Sequence, residues 1–335
     1  MTCKRLDKIN FSAIQKFKDK GGINFLVHLF KSGQLFFDLC QFFLLGKSRL
    51  ALELLSLIIS FKIHKKLSKS YYKELCNFDK NYKESERNKI SKYSNVIWIC
   101  WLQGEENAPT MVKTCINSIR TNLSNRKIVL VDQSNINTFV TFPEYIQQKV
   151  NKGIISNTHF SDLLRLELLT KFGGTWIDAT VLCTSRVIPK FYFDSDLFFF
   201  QTLKPGKDGL STYMSTWFIT SKPNNKILDA TKYLCYLYWR KNNYQIDYFL
   251  LHHFMSMVLD FYEDDWKKVI PKDNSTPHIL LLRLFDKYDE NLWNSILQQT
   301  PFHKLSYKFN DPQSNIIRNT FYERVLNLYD ELDNK

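Results

Sequence analysis

Residues 159–181 read HFSDLLRLELLTKFGGTWIDATV, and they place ionisable side chains where a packed segment would otherwise carry apolar ones. Asp162 and Arg165 interrupt a leucine-rich run. Their spacing of three residues predicts that both project from one face of a helix, near a start for which Ser161 is a candidate N-cap. We therefore expect this helix face to bind a polar ligand.

A second pattern begins after Gly173 and Gly174, which break the helix. Apolar and polar residues then alternate, which predicts a strand with Trp176, Asp178 and Thr180 on one side. The carboxylate of Asp178 is therefore expected near the end of this strand.

Composition places the chain among globular proteins. Its 335 residues are 44% hydrophobic and 15% aromatic, enough for one large domain or two smaller ones. Seven cysteines without a C-x-x-C pair argue against a disulfide framework and a zinc cluster. Charged residues in the first twenty positions leave no apolar run for a secretory signal, so we expect no export.

The positive charge is concentrated in residues 1–94, which hold 19 Lys and Arg against 8 Asp and Glu. We predict a basic helical region here, with breaks at Gly21-Gly22 and Gly46 and a polar connector over residues 77–94. Its apolar segments are too interrupted to span a membrane. Two uses remain open: a layer lying on an anionic membrane surface, or a helical layer packed on its own core. We expect no nucleic-acid partner, since no recognised binding module is present.

Residues 95–335 are predicted to form an α/β domain. Strands over residues 96–101 and 127–131 flank a helix whose face carries Val112, Cys115, Ile116 and Ile119, which makes a β-α-β unit. Ligands of such sheets lie beyond the carboxyl ends of the strands, so four residues are expected to converge there: Gln103, Gly104, Asp132 and Asp178. Further strands are predicted over residues 197–201 and 216–220, and helices over residues 226–240, 248–263 and 315–332.

Three segments resemble the bacterial capsular polysaccharide synthesis glycosyltransferases, which are related to glycosyltransferase family 32 and to the glucosylating clostridial toxins. They are NVIWICWLQG, SDLLRLELLTKFGGTWIDATV and the later PFHKLSYK, spread over about residues 95–310. The resemblance implies a GT-A-like nucleotide-sugar-binding sheet flanked by helices. It also implies transfer of a sugar from a nucleotide donor, with retention of anomeric configuration.

By position, Asp162 and Arg165 match the S-D-x-x-R pair of this family, which holds the donor sugar beside the diphosphate. Asp178 matches the first acid of the D-x-D motif, whose usual work is to bind ribose or sugar and to orient a divalent ion. These three residues are the predicted catalytic set. An exposed salt bridge and a turn-capping Asp are the structural alternatives.

The second acid of D-x-D is replaced by Thr180, and a hydroxyl is a far weaker ligand for a hard cation than a carboxylate. A Mn²⁺ or Mg²⁺ cofactor at Asp178 is thus an open question. The leaving diphosphate still needs positive charge, and the late motif offers His303, Lys304 and Lys308. The alternative for these three is a solvated loop.

Other candidates for donor binding complete the predicted site: Trp101, which could stack on a base or pack in the core, His253 of the His252-His253 pair, Gly173 and Gly174. No residue stands out as a covalent nucleophile, so double displacement and a front-face route both stay open.

The sequence therefore predicts a retaining hexosyltransferase. It would move a hexose from a nucleotide sugar, with UDP as the expected nucleotide, to a lipid-linked oligosaccharide in surface polysaccharide synthesis. The expected place is the cytoplasm, peripheral on the inner face of the bacterial cell membrane. A non-catalytic nucleotide-sugar-binding or scaffolding subunit is the alternative. A nucleotidyltransferase is disfavoured, because the loop LQGEENAPT after the first strand has no cation.

Overall fold

The computed structural model describes residues 44, 48–82, 95–203, 212–309 and 317–328. Seven strands are named in it: β1 Val96–Cys100, β2 Lys127–Val131, β3 Gly174–Ile177, β4 Val181–Cys183, β5 Leu197–Gln201, β6 Met214–Ser221 and β7 Phe302–Lys304. Its helices, numbered along the chain, are α1 Arg49–Asn81, α2 Thr110–Asn122, α3 Ile136–Phe139, α4 Glu144–Asn151, α5 Asn157–Phe172, α6 Phe191–Asp194, α7 Lys226–Lys241, α8 Leu250–Phe261, α9 Glu263–Trp266, α10 Ile279–Arg283, α11 Glu290–Leu297 and α12 Phe321–Leu326.

Five strands form one mixed sheet in the order β2-β1-β3-β6-β5. The strands β2, β1 and β3 are parallel, whereas β6 runs antiparallel to both β3 and β5. A separate antiparallel pair is formed by β4 and β7. The predicted α/β fold, a sheet flanked by helices with a helix before it, is confirmed.

The two faces of the sheet pack against different helices. Trp98, Val131 and Trp176 belong to a large buried cluster that they share with α5, α7 and α8. On the opposite face, Ile97, Ile99 and Ile177 pack with α2, whose predicted apolar face is confirmed. Because side chains alternate along each strand, the same short strands supply both cores.

The long helix α1 has two dissimilar halves. Its second half contributes four core residues at helical spacing: Ile63, Leu67, Tyr71 and Leu75. Its first half presents exposed leucines, among them Leu50 with 66% of its surface exposed. Packing on the α/β body is thus one use of this basic helix. No helix of the described residues is long and apolar enough to cross a membrane.

Several predicted boundaries are wrong. The predicted connector begins inside α1, which continues to Asn81, and α5 starts at Asn157 with Ser156, not Ser161, as its N-cap. Residues 248–263 form the shorter α8 and part of α9, and the closing helix is limited to α12. The breaks at Gly21-Gly22 and Gly46 and residues 83–94, 315–316 and 329–332 lie outside the described residues.

The predicted strand through Thr180 is also shorter than expected. Strand β3 ends at Ile177, and the amide of Val181 donates to the carbonyl of Asp178 at 3.0 Å, which closes a turn. The chain then enters β4 in the second sheet. This turn places Asp178 between the two sheets.

Candidate active site

A row of polar side chains along α5 forms the buried base of the site. His159, Asp162 and Arg165 follow one another at intervals of three residues, so they lie on one helix face as predicted for the last two. The Nδ1 of His159 lies 3.2 Å from Oδ2 of Asp162, and Nη2 of Arg165 lies 3.2 Å from Oδ1. Both carboxylate oxygens of Asp162 therefore have partners within the helix.

Arg165 connects this row to the sheet. Its Nη2 is 3.5 Å from Oδ1 of Asp178, and its Nη1 donates to the carbonyl of Thr216 on β6. Its guanidinium lies 4.8 Å above the ring of Trp176 on β3. One cation thereby joins two carboxylates from separate elements.

Asp178 follows β3 directly and is held from three sides. Trp176, two residues earlier and on the same side of the strand, donates its indole N–H to Oδ1 at 2.9 Å. The backbone amide of Asp178 donates to the carbonyl of Trp217 at 2.8 Å. Its Oδ2 faces Lys304 of β7, whose Nζ is 3.6 Å away.

Lys304 reaches this position because β7 pairs with β4, with Lys304 opposite Val181. Its Nζ donates to the hydroxyl of Thr180 at 2.6 Å. The alternative of a solvated loop does not hold at Lys304, which lies in a strand beside Asp178. The residue that replaces the second acid thus binds a cationic side chain.

Burial separates these charges into two layers. The side chains of Asp162 and Arg165 are 8% and 5% exposed, whereas those of Asp178 and Lys304 are 27% and 20% exposed. Burial would raise the pKa of Asp162, but Arg165 and His159 outweigh it and hold that pKa below its ordinary value. Asp162 and Arg165 therefore form the buried layer, and Asp178 and Lys304 form the layer that is partly open to solvent.

The donor set around Asp178 does not fit a divalent ion. Within the described parts of the chain, no three His, Cys, Asp or Glu side chains gather as a metal site. The space beside Asp178 and Thr180 is instead approached by the ammonium group of Lys304, which repels a cation. Hard cations need several oxygen ligands, and the hydroxyl of Thr180 already accepts from this lysine.

The ends of β1 and β2 supply the next part of the site. Strand β1 pairs in parallel with both β2 and β3, so the carboxyl ends of the three strands lie at one edge of the sheet. Burial raises the pKa of the Cys100 thiol, at the end of β1, to about 12. Gln103 and Gly104 follow β1 in an exposed turn, and Asp132 caps the next turn by accepting from the amides of Ser134 and Asn135. Trp101 has a buried indole N–H with no partner among the described residues, and its ring is 5.2 Å from that of Tyr307.

Two predicted donor residues are directed away from Asp178. His303 precedes Lys304 on β7 and so points to the opposite side, where it is fully buried and 3.2 Å from the Thr184 hydroxyl. Burial lowers the pKa of His303 to about 4. His253 lies beside His64 of α1, with ring centroids 5.7 Å apart, so its predicted place in the site is wrong.

Gly173 and Gly174 are also misplaced in the prediction, since they lie at the start of β3, at the opposite edge of the sheet from Asp178. At Gly174, with φ of 94°, a Cβ would come within 2.4 Å of the carbonyl oxygen of Val96. Gly174 thus permits close packing of β3 on β1, whereas a Cβ at Gly173 would meet Pro223 and Ser221. Lys308 is exposed, and its Nζ is 5.9 Å from the Tyr307 ring.

Three contributors were missed by sequence reasoning. Thr216 supplies a backbone carbonyl to Arg165, which no sequence pattern signals. His252, not His253, faces the site, and its Nε2 shares a 3.4 Å hydrogen bond with the Thr216 hydroxyl. The indole of Trp176 could have been found, because the alternation already placed it beside Asp178.

The chain is similar to a family of known proteins and to a solved structure. The model of a family described as capsular polysaccharide synthesis protein matches residues 58–325. One similar solved structure is the PaToxG glycosyltransferase, at 15% identity and a TM-score of 0.36, covering 81% of this chain and 98% of that chain. The search of curated proteins found no match.

Proposed function

Because this chain belongs to the capsular polysaccharide synthesis protein family, which supports the glycosyltransferase activity expected from its sequence, we propose the following reaction. The enzyme moves a hexose from a UDP-sugar to a lipid-linked oligosaccharide, with retention of configuration. The observation that carries this proposal is the partly exposed pair formed by Asp178, which follows the parallel strand β3, and Lys304 of β7.

Each residue of the pair suits one part of a nucleotide sugar. The carboxylate of Asp178 accepts hydrogen bonds from sugar or ribose hydroxyls. The ammonium of Lys304 offsets the negative charge that the diphosphate gains as its bond to the anomeric carbon breaks. Arg165 holds Asp178 in place from below, with its own charge shared between two carboxylates.

A front-face route accounts better than double displacement for retention of the anomeric configuration. Asp178 accepts a hydrogen bond from Trp176 and lies near two cations, Arg165 and Lys304. These interactions draw on the electron pairs of the carboxylate and make it a weak nucleophile. A covalent intermediate on a carboxylate oxygen of Asp178 is therefore disfavoured. In the front-face route the acceptor hydroxyl bonds to the anomeric carbon on the side that the diphosphate leaves, and its proton passes to the departing phosphate oxygen.

Replacing Lys304 with Met tests the source of positive charge. We expect turnover of UDP-sugars, followed as slow donor hydrolysis, to fall about 10- to 100-fold, because the departing diphosphate loses its nearest cation. Wild-type turnover should persist in EDTA. The matched control is Lys267→Met, whose exposed ammonium pairs with Glu263 on α9.

If wild-type turnover were lost in EDTA and recovered in Mn²⁺, a metal ion and not Lys304 would offset the negative charge of the diphosphate. This result would contradict the proposed role of Lys304. Wild-type protein that binds UDP-sugars but never turns them over would instead indicate the binding or scaffolding subunit.

We further propose that the first half of α1 lies on an anionic membrane surface, at the cytoplasmic face where a lipid-linked acceptor would be held. Leu50, Leu54, Leu57 and Phe61 recur at intervals of four, three and four residues, and each is at least 42% exposed. Lys62, Lys65, Lys66 and Lys69 follow them along the helix. An apolar helix face beside lysines is typical of interfacial helices, and each lysine near anionic lipid contributes about 1 kcal/mol.

A double substitution, Leu54→Glu with Leu57→Glu, should reduce co-sedimentation with vesicles of phosphatidylglycerol and phosphatidylcholine several-fold, because it places carboxylates in the lipid-facing stripe. The control is Leu282→Glu, which changes a leucine of α10 that is 61% exposed. Equal sedimentation of the double variant and wild type would refute the membrane proposal.

A further inference from the structure

An exposed aromatic pair borders the site on the side away from β1 and β2. Tyr248 and Phe249, between α7 and α8, are 41% and 48% exposed, and their rings meet edge to face with centroids 5.0 Å apart. Two adjacent aromatic side chains that are both exposed form an apolar surface beside the site, the kind of surface at which ligands bind.

Contacts place this pair beside the catalytic groups. The ring of Phe249 is 5.0 Å from that of His252, which shares a hydrogen bond with Thr216, the residue whose carbonyl receives Arg165. Burial and the charges of Asp162 and Asp178 raise the pKa of the Tyr248 phenol.

The segment that carries the pair is held in one conformation. The phenol of Tyr238 donates to the carbonyl of Tyr244 at 2.7 Å and accepts from the amide of Ile246 at 3.0 Å. The amide of Phe249 donates to Oδ1 of Asp247 at 2.6 Å. A backbone already held by such hydrogen bonds loses little conformational entropy when a ligand binds to its side chains.

We propose that Tyr248 and Phe249 form the acceptor subsite, on which a pyranose ring of the acceptor glycan stacks. A pyranose presents a face of C–H groups that packs on an aromatic ring, while its hydroxyls reach toward Asp178. This inference rests on the proposed function.

The sheet order favours an acceptor sugar over the donor base at this pair. If the nucleotide lies over the ends of β1 and β2, as expected for parallel strands, it occupies one side of β3. Thr216, on β6, lies on the other side of β3, and the aromatic pair contacts the site through it. The pair therefore borders the side from which an acceptor approaches Asp178.

Saturation-transfer difference NMR tests this subsite, with methyl β-glucopyranoside and methyl β-galactopyranoside as probes and UDP in parallel. For wild type we expect binding of at least one pyranoside. Phe249→Ala should weaken that binding about 3- to 10-fold, the range for one aromatic stacking contact, and leave UDP binding unchanged. Phe249→Trp should retain it. Tyr72→Ala, which removes another exposed aromatic ring, from α1, is the control.

The proposal is overturned if wild type binds neither pyranoside, or if Tyr72→Ala weakens binding as much as Phe249→Ala. Loss of UDP binding in Phe249→Ala would assign the pair to the nucleobase instead. Failure of the proposed function has a different signature: wild type would bind neither UDP nor UDP-sugars, whatever the pyranoside result.

Discussion

Asp178→Asn should lower donor hydrolysis and transfer about 100- to 1,000-fold, the range found when one electrostatic group of an active site is removed. The substitution keeps the size of the side chain but removes its negative charge. It also turns an amide N–H₂ toward Arg165 or Lys304, which are 3.5 and 3.6 Å from the two carboxylate oxygens. Turnover of a UDP-sugar panel by the purified full chain measures the effect.

The matched control is Asp264→Asn, because the Asp264 side chain is 99% exposed and its nearest cation is Lys267 at 4.0 Å. Its turnover should remain within about twofold of wild type, as is usual for a surface substitution away from the site. If Asp178→Asn turned over donor as fast as wild type, the assignment of the catalytic site to the ends of these strands would be wrong.

Arg165→Met should destabilise the fold by about 3 to 5 kcal/mol, the cost of leaving a buried carboxylate without its partner. The side chain of Arg165 is 5% exposed, and it is the cation nearest Asp162, whose side chain is 8% exposed. The variant also leaves the Thr216 carbonyl without the guanidinium donor. Denaturant unfolding followed by tryptophan fluorescence would show the loss as a lower midpoint.

A surface pair gives the control for this experiment. Arg120→Met breaks the ion pair with Glu105, in which the two side chains are 42% and 28% exposed, and should cost no more than about 1 kcal/mol. Adding Asp162→Asn to Arg165→Met should recover part of the lost stability, because the uncompensated charge is then gone. A midpoint for Arg165→Met equal to that for Arg120→Met would contradict the buried ion-pair network.

Local sequence patterns predicted much of the secondary structure. The short apolar runs that end near Cys100 and Val131 predicted β1 and β2, and the helical spacing from Val112 to Ile119 predicted α2. Helix starts were predicted less well. Ser156 and Ser161 are both good N-caps, and the structure shows that the helix begins at the earlier one, because the Ser156 hydroxyl accepts from the amide of His159 at 3.2 Å.

The sequence by itself determined the α/β class, the convergence of Asp132 and Asp178 at the strand ends, and the joint face of Asp162 and Arg165. These follow from spacing within single elements and from the rule that parallel strands end at one edge of a sheet. Only the tertiary structure decided which of these charged side chains is exposed to solvent, and which distant residue lies beside Asp178. Lys304 lies 126 positions further along the chain and reaches Asp178 only through the pairing of β4 with β7, which no local pattern encodes.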